Sequence, residues 1–113
     1  MNCLFCQIIE GSIPTTFLYE DEWVVAFRDI KPQAPTHILI IPRAHIATVN
    51  EIDTQEKALV GHMVWVAKLI AEREGFSEFG YRLVFNVNAG GGQMVYHIHL
   101  HVLGGRQMSW PPG

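Results

Sequence analysis

Apolar and polar positions change period several times along this chain, and each change marks an element. Residues 3–10 read as a short helix ended by Gly11, and Pro14 marks the turn that follows. Phe17 to Glu20 and Trp23 to Arg28 read as two strands around an Asp21-Glu22 turn. Lys31-Pro32-Gln33-Ala34-Pro35 is a loop, because its two prolines cannot donate to a ladder. His37 to Ile41 is a strand, apolar on both faces after His37 and closed by Pro42. The pattern then turns helical over Thr54 to Glu74. Leu59, Met63, Val66 and Ile70 recur at helical spacing, widened by Val60, Ala67 and Ala71. Asp53 is the predicted N-cap, with Glu56 as its capping-box partner, and Gly75 suits the left-handed residue after the last turn. Tyr81 to Asn86 and His97 to Leu103 complete five strands, joined by a long connection from Val87 to Tyr96. Five strands and one long helix predict an α+β fold, an antiparallel sheet with the helix covering one face.

No internal repeat, low-complexity tract or Gly/Ser linker interrupts the 113 residues, so a single domain over 1–113 is expected. The net charge of -3 gives no basic field for a nucleic acid or an anionic membrane. Any phosphate recognition must be built locally from a few groups. No apolar run approaches the roughly 18 to 20 residues of a membrane span. Met1-Asn2-Cys3-Leu4-Phe5-Cys6 lacks the basic lead and apolar core of a secretory signal, so a cytoplasmic location is expected. In a reducing compartment, Cys3-x-x-Cys6 suggests a metal half-site or a redox pair more than a structural disulfide.

His97-Ile98-His99-Leu100-His101-Val102-Leu103 carries the chemistry. Alternate side chains of a strand point to opposite faces, so Ile98, Leu100 and Val102 enter a core while His97, His99 and His101 share the other face. Three imidazoles in a row would repel one another if all were protonated. The arrangement suits a metal site or a histidine nucleophile held neutral near pH 7, and the two need not exclude each other. His62, with Trp65 and Leu69, forms a second, partly apolar face of the long helix, suited to packing or a subunit interface.

The His-x-His-x-His run resembles the histidine triad (HIT) family of nucleotide hydrolases and transferases. Phe27-Arg28-Asp29-Ile30, Pro32-Gln33-Ala34-Pro35-Thr36-His37, Ile41-Pro42-Arg43-Ala44-His45, Gly91-Gly92-Gln93 and the tail from Gly104 to Gly113 resemble its Hint branch, which contains purine nucleoside phosphoramidases. The resemblance implies that His99 attacks the α-phosphorus and forms a covalent nucleotidyl-histidine that water then hydrolyses. It implies that His101 contacts the phosphate and helps protonate the leaving group, with His37 beside the middle histidine. Asp29 would accept hydrogen bonds from the ribose, and Phe27 and Ile30 would wall the base. Asn86, the turn around Gly92 and the backbone near Gln93 would contact phosphate. Glycine-rich turns can converge N–H groups on phosphate oxygens. The branch often has serine after Gly-Gln; this chain has Met94, whose thioether is a poor hydrogen-bonding partner.

Some relatives carry structural zinc on two N-terminal cysteines and two histidines, which here are Cys3, Cys6, His45 and His97. The resemblance also implies a homodimer with sheets joined across the two-fold and Trp110 reaching the partner's site. The leading expectation is hydrolysis of AMP-amine phosphoramidates. Its rivals are hydrolysis or transfer on dinucleoside polyphosphates or other adenylates, and a nucleotide-binding or interaction module with little catalysis.

Overall fold

In the computed structural model, which describes residues 3–113, helix α1 spans Leu4–Glu10. Cys3 caps it, its sulfur accepting from the Cys6 N–H at 3.3 Å. Gly11, at φ +88°, ends it as predicted. The strands are β1 (Tyr19–Glu20), β2 (Val24–Arg28), β3 (Thr36–Pro42), β4 (Tyr81–Val84) and β5 (Leu100–Gly104). They form one antiparallel sheet in the order β1-β2-β3-β5-β4. The long helix, α2, spans Lys57–Glu74 and ends at Gly75, again in the left-handed region. The capping box at Asp53 and Glu56 is present, but it caps a 3-10 turn, Thr54–Glu56, that leads into α2.

Four predicted strands are shorter than expected, most consequentially the last. His97 and His99 precede β5 rather than lying in it. The pairing of β3 with β5 stops at Ile40↔Leu100. Beyond that point the Ile98 N–H bonds to Ile46 O at 2.6 Å, outside the ladder. The segment therefore follows the 43–46 loop instead of β3. Likewise β4 stops at Val84, opposite His101, freeing Asn86 from the sheet. Only Tyr19 and Glu20 of the first predicted strand pair in the sheet.

The doubly apolar character of β3 has its cause in two packed layers. Ile38 and Ile40 meet Val24, Ala26, Leu100, Val102 and the Met63, Val66, Ala67, Ile70 and Ala71 stripe of α2. Leu39 and Ile41 face the other way, with Val25, Phe27 and the Phe5 and Ile8 side chains of α1. Each such aliphatic side chain contributes about 1.5–3 kcal/mol when fully buried. The sequence placed one helix on one face; α1 covers part of the second face and leaves the rest to a cavity.

His62 packs at the periphery, where Nε2 lies 2.6 Å from Asp21 Oδ2 and the ring sits between Trp23 and Trp65. Burial alone would raise the Asp21 pKa, but donation from Trp23 N, Val24 N, His62 and the Tyr19 hydroxyl carries it well below the usual carboxylate range. Asp21 thus ties the β1–β2 turn to α2.

One contact in the main core admits no side chain. A Cβ at Gly104 would stand 2.7 Å from the Phe76 ring, and Phe76 is itself buried in the α2-side core. Gly104→Ala should therefore overpack this corner and cost about 1–3 kcal/mol, read as a lower urea midpoint at unchanged slope. An unchanged midpoint would mean that Phe76 swings aside without loss.

Candidate active site

Five histidines gather on the α1 side of the sheet, in two groups that share one backbone segment. His37 on β3 and His101 on β5 are diagonal neighbours, since Leu39 is opposite His101 and His37 is opposite Leu103. Their side chains meet, His37 Nε2 to His101 Nδ1, at 2.8 Å. His99 stacks obliquely on His101 with ring centroids 4.9 Å apart.

The hydrogen-bond partners assign the tautomers. His99 Nδ1 donates to the His97 carbonyl at 2.8 Å, which leaves Nε2 with its lone pair. The Gln33 N–H donates to His37 Nδ1 at 3.1 Å, so the proton of His37 resides on Nε2. That proton points to His101 Nδ1, and His101 therefore carries its own on Nε2. The Asn86 Nδ2 lies 3.5 Å from that atom, at the edge of hydrogen-bonding distance. Asp29 Oδ1 accepts from the Lys31 N–H at 2.8 Å, as a turn residue would. Its Oδ2 stands 3.5 Å from His37 Nε2.

These groups line a cavity of about 860 Å³. Its apolar lining includes Leu4, Phe5, Ile8, Phe27 and Leu39; its polar lining includes Asp29, His37, Asn86, His99 and His101. Ile30 and Met94 border it and are largely exposed. The contribution of α1 escaped the sequence reading. Phe5, 4% exposed, sets its ring edge-to-face with His99 at 5.1 Å, and also meets His97 and Phe27. The apolar positions of the N-terminal helix were the signal, but nothing in them says which partner they meet.

Two expected phosphate contacts are placed differently. Gly91, Gly92 and Gln93 spend their N–H groups inside the turn, on Asn88 O, Ala89 O and Asn88 O. The tightness of the 3-10 turn Ala89–Gly91 turns these donors inward, so they form no anion nest. The buried Gln93 side chain braces the loop: its amide donates to Ala47 O and Val95 O and its oxygen accepts from the Asn88 N–H. Gly92 and Asn86 do line the cavity. Trp110 is 82% exposed and lies outside the lining of its own chain's cavity.

The second group is Cys3, Cys6, His45 and His97, whose ligand atoms all lie within 4.8 Å of one another. His97 is completely buried. Its Nε2 donates to Pro42 O at 2.8 Å, so the Nδ1 lone pair faces the cluster. That Nδ1 lies 3.4 Å from Cys3 Sγ, 3.6 Å from Cys6 Sγ and 3.2 Å from His45 Nδ1; Cys6 Sγ to His45 Nδ1 is 3.4 Å. A tetrahedral zinc with ordinary bond lengths needs S···N edges of about 3.6 Å and an N···N edge of about 3.4 Å. The set fits zinc in element, number and spacing. Asp29, His37 and His101 also converge, but the Gln33 N–H holds the wrong His37 tautomer for ligation through Nε2.

Burial lowers the pKa of His37, His97, His99 and His101, opposed by Asp29 at His37, His99 and His101 and by the Pro42 carbonyl at His97. His101 falls to about 4, burial being aided by its histidine neighbours. An unfolded chain, with histidine at its ordinary 6.5, binds more protons than the fold between pH 6.5 and 4. Stability contributed by neutral His101 is complete above this window and is lost as pH falls through it. Unfolding free energies at pH 7 and pH 5 should differ less in His101→Gln than in the native chain. Equal differences would show that the His101 proton does not couple to folding.

The HIT domain model matches residues 10–108. The chain is 54% identical over 105 residues to the purine nucleoside phosphoramidase of Escherichia coli K12, covering 93% of this chain and 88% of that protein. It is 52% identical over 112 residues to the 14 kDa zinc-binding protein of Zea mays, covering 97% and 87%. The crystal structure of a HIT family hydrolase from Legionella pneumophila superposes with a TM-score of 0.97 at 62% identity, over 99% of this chain and 100% of that one. With this fold, this histidine constellation and these matches, the chain belongs to the HIT family.

Proposed function

We propose that the protein hydrolyses purine nucleoside phosphoramidates through a covalent nucleotidyl-His99 intermediate. The observation that carries this reading is the His99 Nδ1 donation to the His97 carbonyl at 2.8 Å. It fixes a neutral imidazole with Nε2 available in a cavity that has room for a nucleotide. The base would occupy the apolar walls by Phe5 and Phe27, and the ribose hydroxyls would donate to Asp29. In the first step Nε2 forms a bond to the α-phosphorus as the phosphorus–nitrogen bond breaks. His101 passes its Nε2 proton to the departing amine and recovers one from the water that attacks in the second step. Water then cleaves the phosphorus–histidine bond and restores His99. The name of the E. coli relative supports the phosphoramidate class.

Zinc belongs to the same proposal, held by Cys3, Cys6, His45 and His97. The set leaves no coordination position for substrate, so its role is structural. The Zea mays relative, named for zinc binding, supports it. We also take the working form to be a cytoplasmic homodimer. Strand β4 is one of the two edges of the sheet, and the Trp110 tail is exposed, so both are free to meet a second chain.

Acid-quenched intact-protein mass spectrometry with an adenosine phosphoramidate should show turnover and an added nucleotidyl mass, both absent in His99→Ala. Identical behaviour of the two proteins, with no turnover and no adduct, would return the site to a binding module. Faster cleavage of an anhydride-linked adenylate than of the amide would move the substrate class to the polyphosphates. Metal analysis should find one zinc per chain, and its removal by a strong chelator should lower the melting temperature. A protein whose melting is indifferent to chelation does not use this cluster as a structural metal site.

A further inference from the structure

The metal cluster and the nucleophile are joined through one residue. His97 turns Nδ1 to the cysteines while its carbonyl oxygen accepts from His99 Nδ1. A second connection runs through α1. Phe5 sits between the two cysteines in sequence and packs its ring edge-to-face with His99. The orientation of His99 is thus set from two directions by groups the cluster holds in place. The cluster is open on one side, because Cys6 and His45 meet near the surface while His97 is fully buried. A small oxidant can reach the sulfurs without passing through the nucleotide cavity.

We propose that Cys3 and Cys6 are an oxidation site that disengages His99 when they become a disulfide. The inference rests on the zinc reading above. The chemistry balances as two thiolates, one hydrogen peroxide and two protons giving one disulfide and two waters. The two sulfurs lose two electrons and the peroxide gains them. The zinc ion leaves, because a disulfide no longer supplies the anionic ligands that held it. The geometry changes with the bond. Tetrahedral zinc holds its two sulfurs about 3.8 Å apart, whereas a disulfide brings them to about 2.05 Å. Cys3 is the extended N-cap and Cys6 stands in the first turn of α1, so closing the disulfide pulls the Cys3 sulfur out of its cap contact with the Cys6 N–H and strains the turn that carries Phe5. His97 loses its metal at the same moment. Cys3, Cys6 and Phe5 are positioning residues in this scheme: they act through His97 and His99 and touch no reacting atom.

The test uses the zinc-loaded full chain titrated with hydrogen peroxide. Four quantities are followed together: zinc released to a chromophoric chelator, thiols remaining, the imidazole nitrogen resonances of His99, and the initial rate on an adenosine phosphoramidate. The expected result is loss of one zinc and two thiols per chain, a changed His99 resonance, and a rate fall on the order of 100-fold, the scale of an ångström misplacement at a reacting group. Dithiol plus zinc should restore all four, which separates this event from methionine oxidation. Zinc removal by chelator alone should move the His99 resonance in the same sense. Cys3→Ala/Cys6→Ala, where it folds, should start with the shifted resonance and ignore peroxide. Zinc release and disulfide formation with an unmoved His99 resonance and rate would overturn the coupling while leaving the zinc reading intact. A chain that holds no zinc at the outset overturns both. A displaced resonance in a chain with no turnover on any adenylate supports the coupling and removes only the phosphoramidase reading.

Discussion

Each imidazole of the candidate site has one nitrogen committed to a fixed partner, and what the site can do chemically depends on this constraint. A free histidine exchanges tautomers, so its nucleophilic nitrogen is undefined. Here the His97 carbonyl takes the Nδ1 proton of His99, and the Gln33 N–H occupies the Nδ1 lone pair of His37. His101 inherits its tautomer from His37. The outcome is one imidazole presenting a lone pair and a neighbour presenting a proton. Two adjacent groups of the same residue type can then serve as nucleophile and donor without a difference in composition. Burial adds to this by favouring the neutral forms of His99 and His101.

The sheet supplies the positions. Because β3 is packed on both faces, its register cannot slip without turning Leu39 and Ile41 against the wrong layer. His37 is thereby held diagonal to His101. Asp29, just beyond β2, is held by its N–H donating to His37 O at 2.9 Å. The site thus draws its rigidity from the double-sided core, while its apolar wall comes from a seven-residue helix. Such a helix is too short to persist alone in water, and it depends on what pins it to the sheet.

Much of this was legible in the chain. The period-two alternation of 97–103 places Leu100 and Val102 in the α2-side core, opposite His101, whereas Ile98 is buried ahead of the strand, which begins only at Leu100. Before β5 the chain bends at His97, and the Ile98 N–H bonds to Ile46 O rather than to β3. The caps at Gly11, Asp53 and Gly75 were readable because each rests on local backbone chemistry. The family resemblance supplied His37, Asp29 and Asn86, which spacing alone could not bring together. Three features were hidden. The inward turn of the Gln93 side chain depends on carbonyls at Ala47 and Val95. The contact of Phe5 with His99 joins residues far apart in sequence. The donor that sets the His37 tautomer is a backbone N–H, and no side-chain pattern encodes it.

His97 illustrates why a histidine suits the first position of the triad. Its Nδ1 faces the Cys3, Cys6 and His45 ligand atoms on one side while its Nε2 donates a proton to Pro42 O on the other. Asparagine could offer an acceptor and a donor, but its carbonyl oxygen is a weaker partner for zinc than an imidazole nitrogen. The His97 backbone is meanwhile occupied in holding His99, a task any residue could perform if the chain were held at the same angle. The side chain is what holds that angle, because Nδ1 ties it to α1 and Nε2 ties it to the end of β3. The Cys3–Cys6–His45–His97 cluster and the His97–His99 hydrogen bond are thus successive parts of one lever. A short N-terminal helix can in this way shape the candidate site without contributing a reacting atom to it.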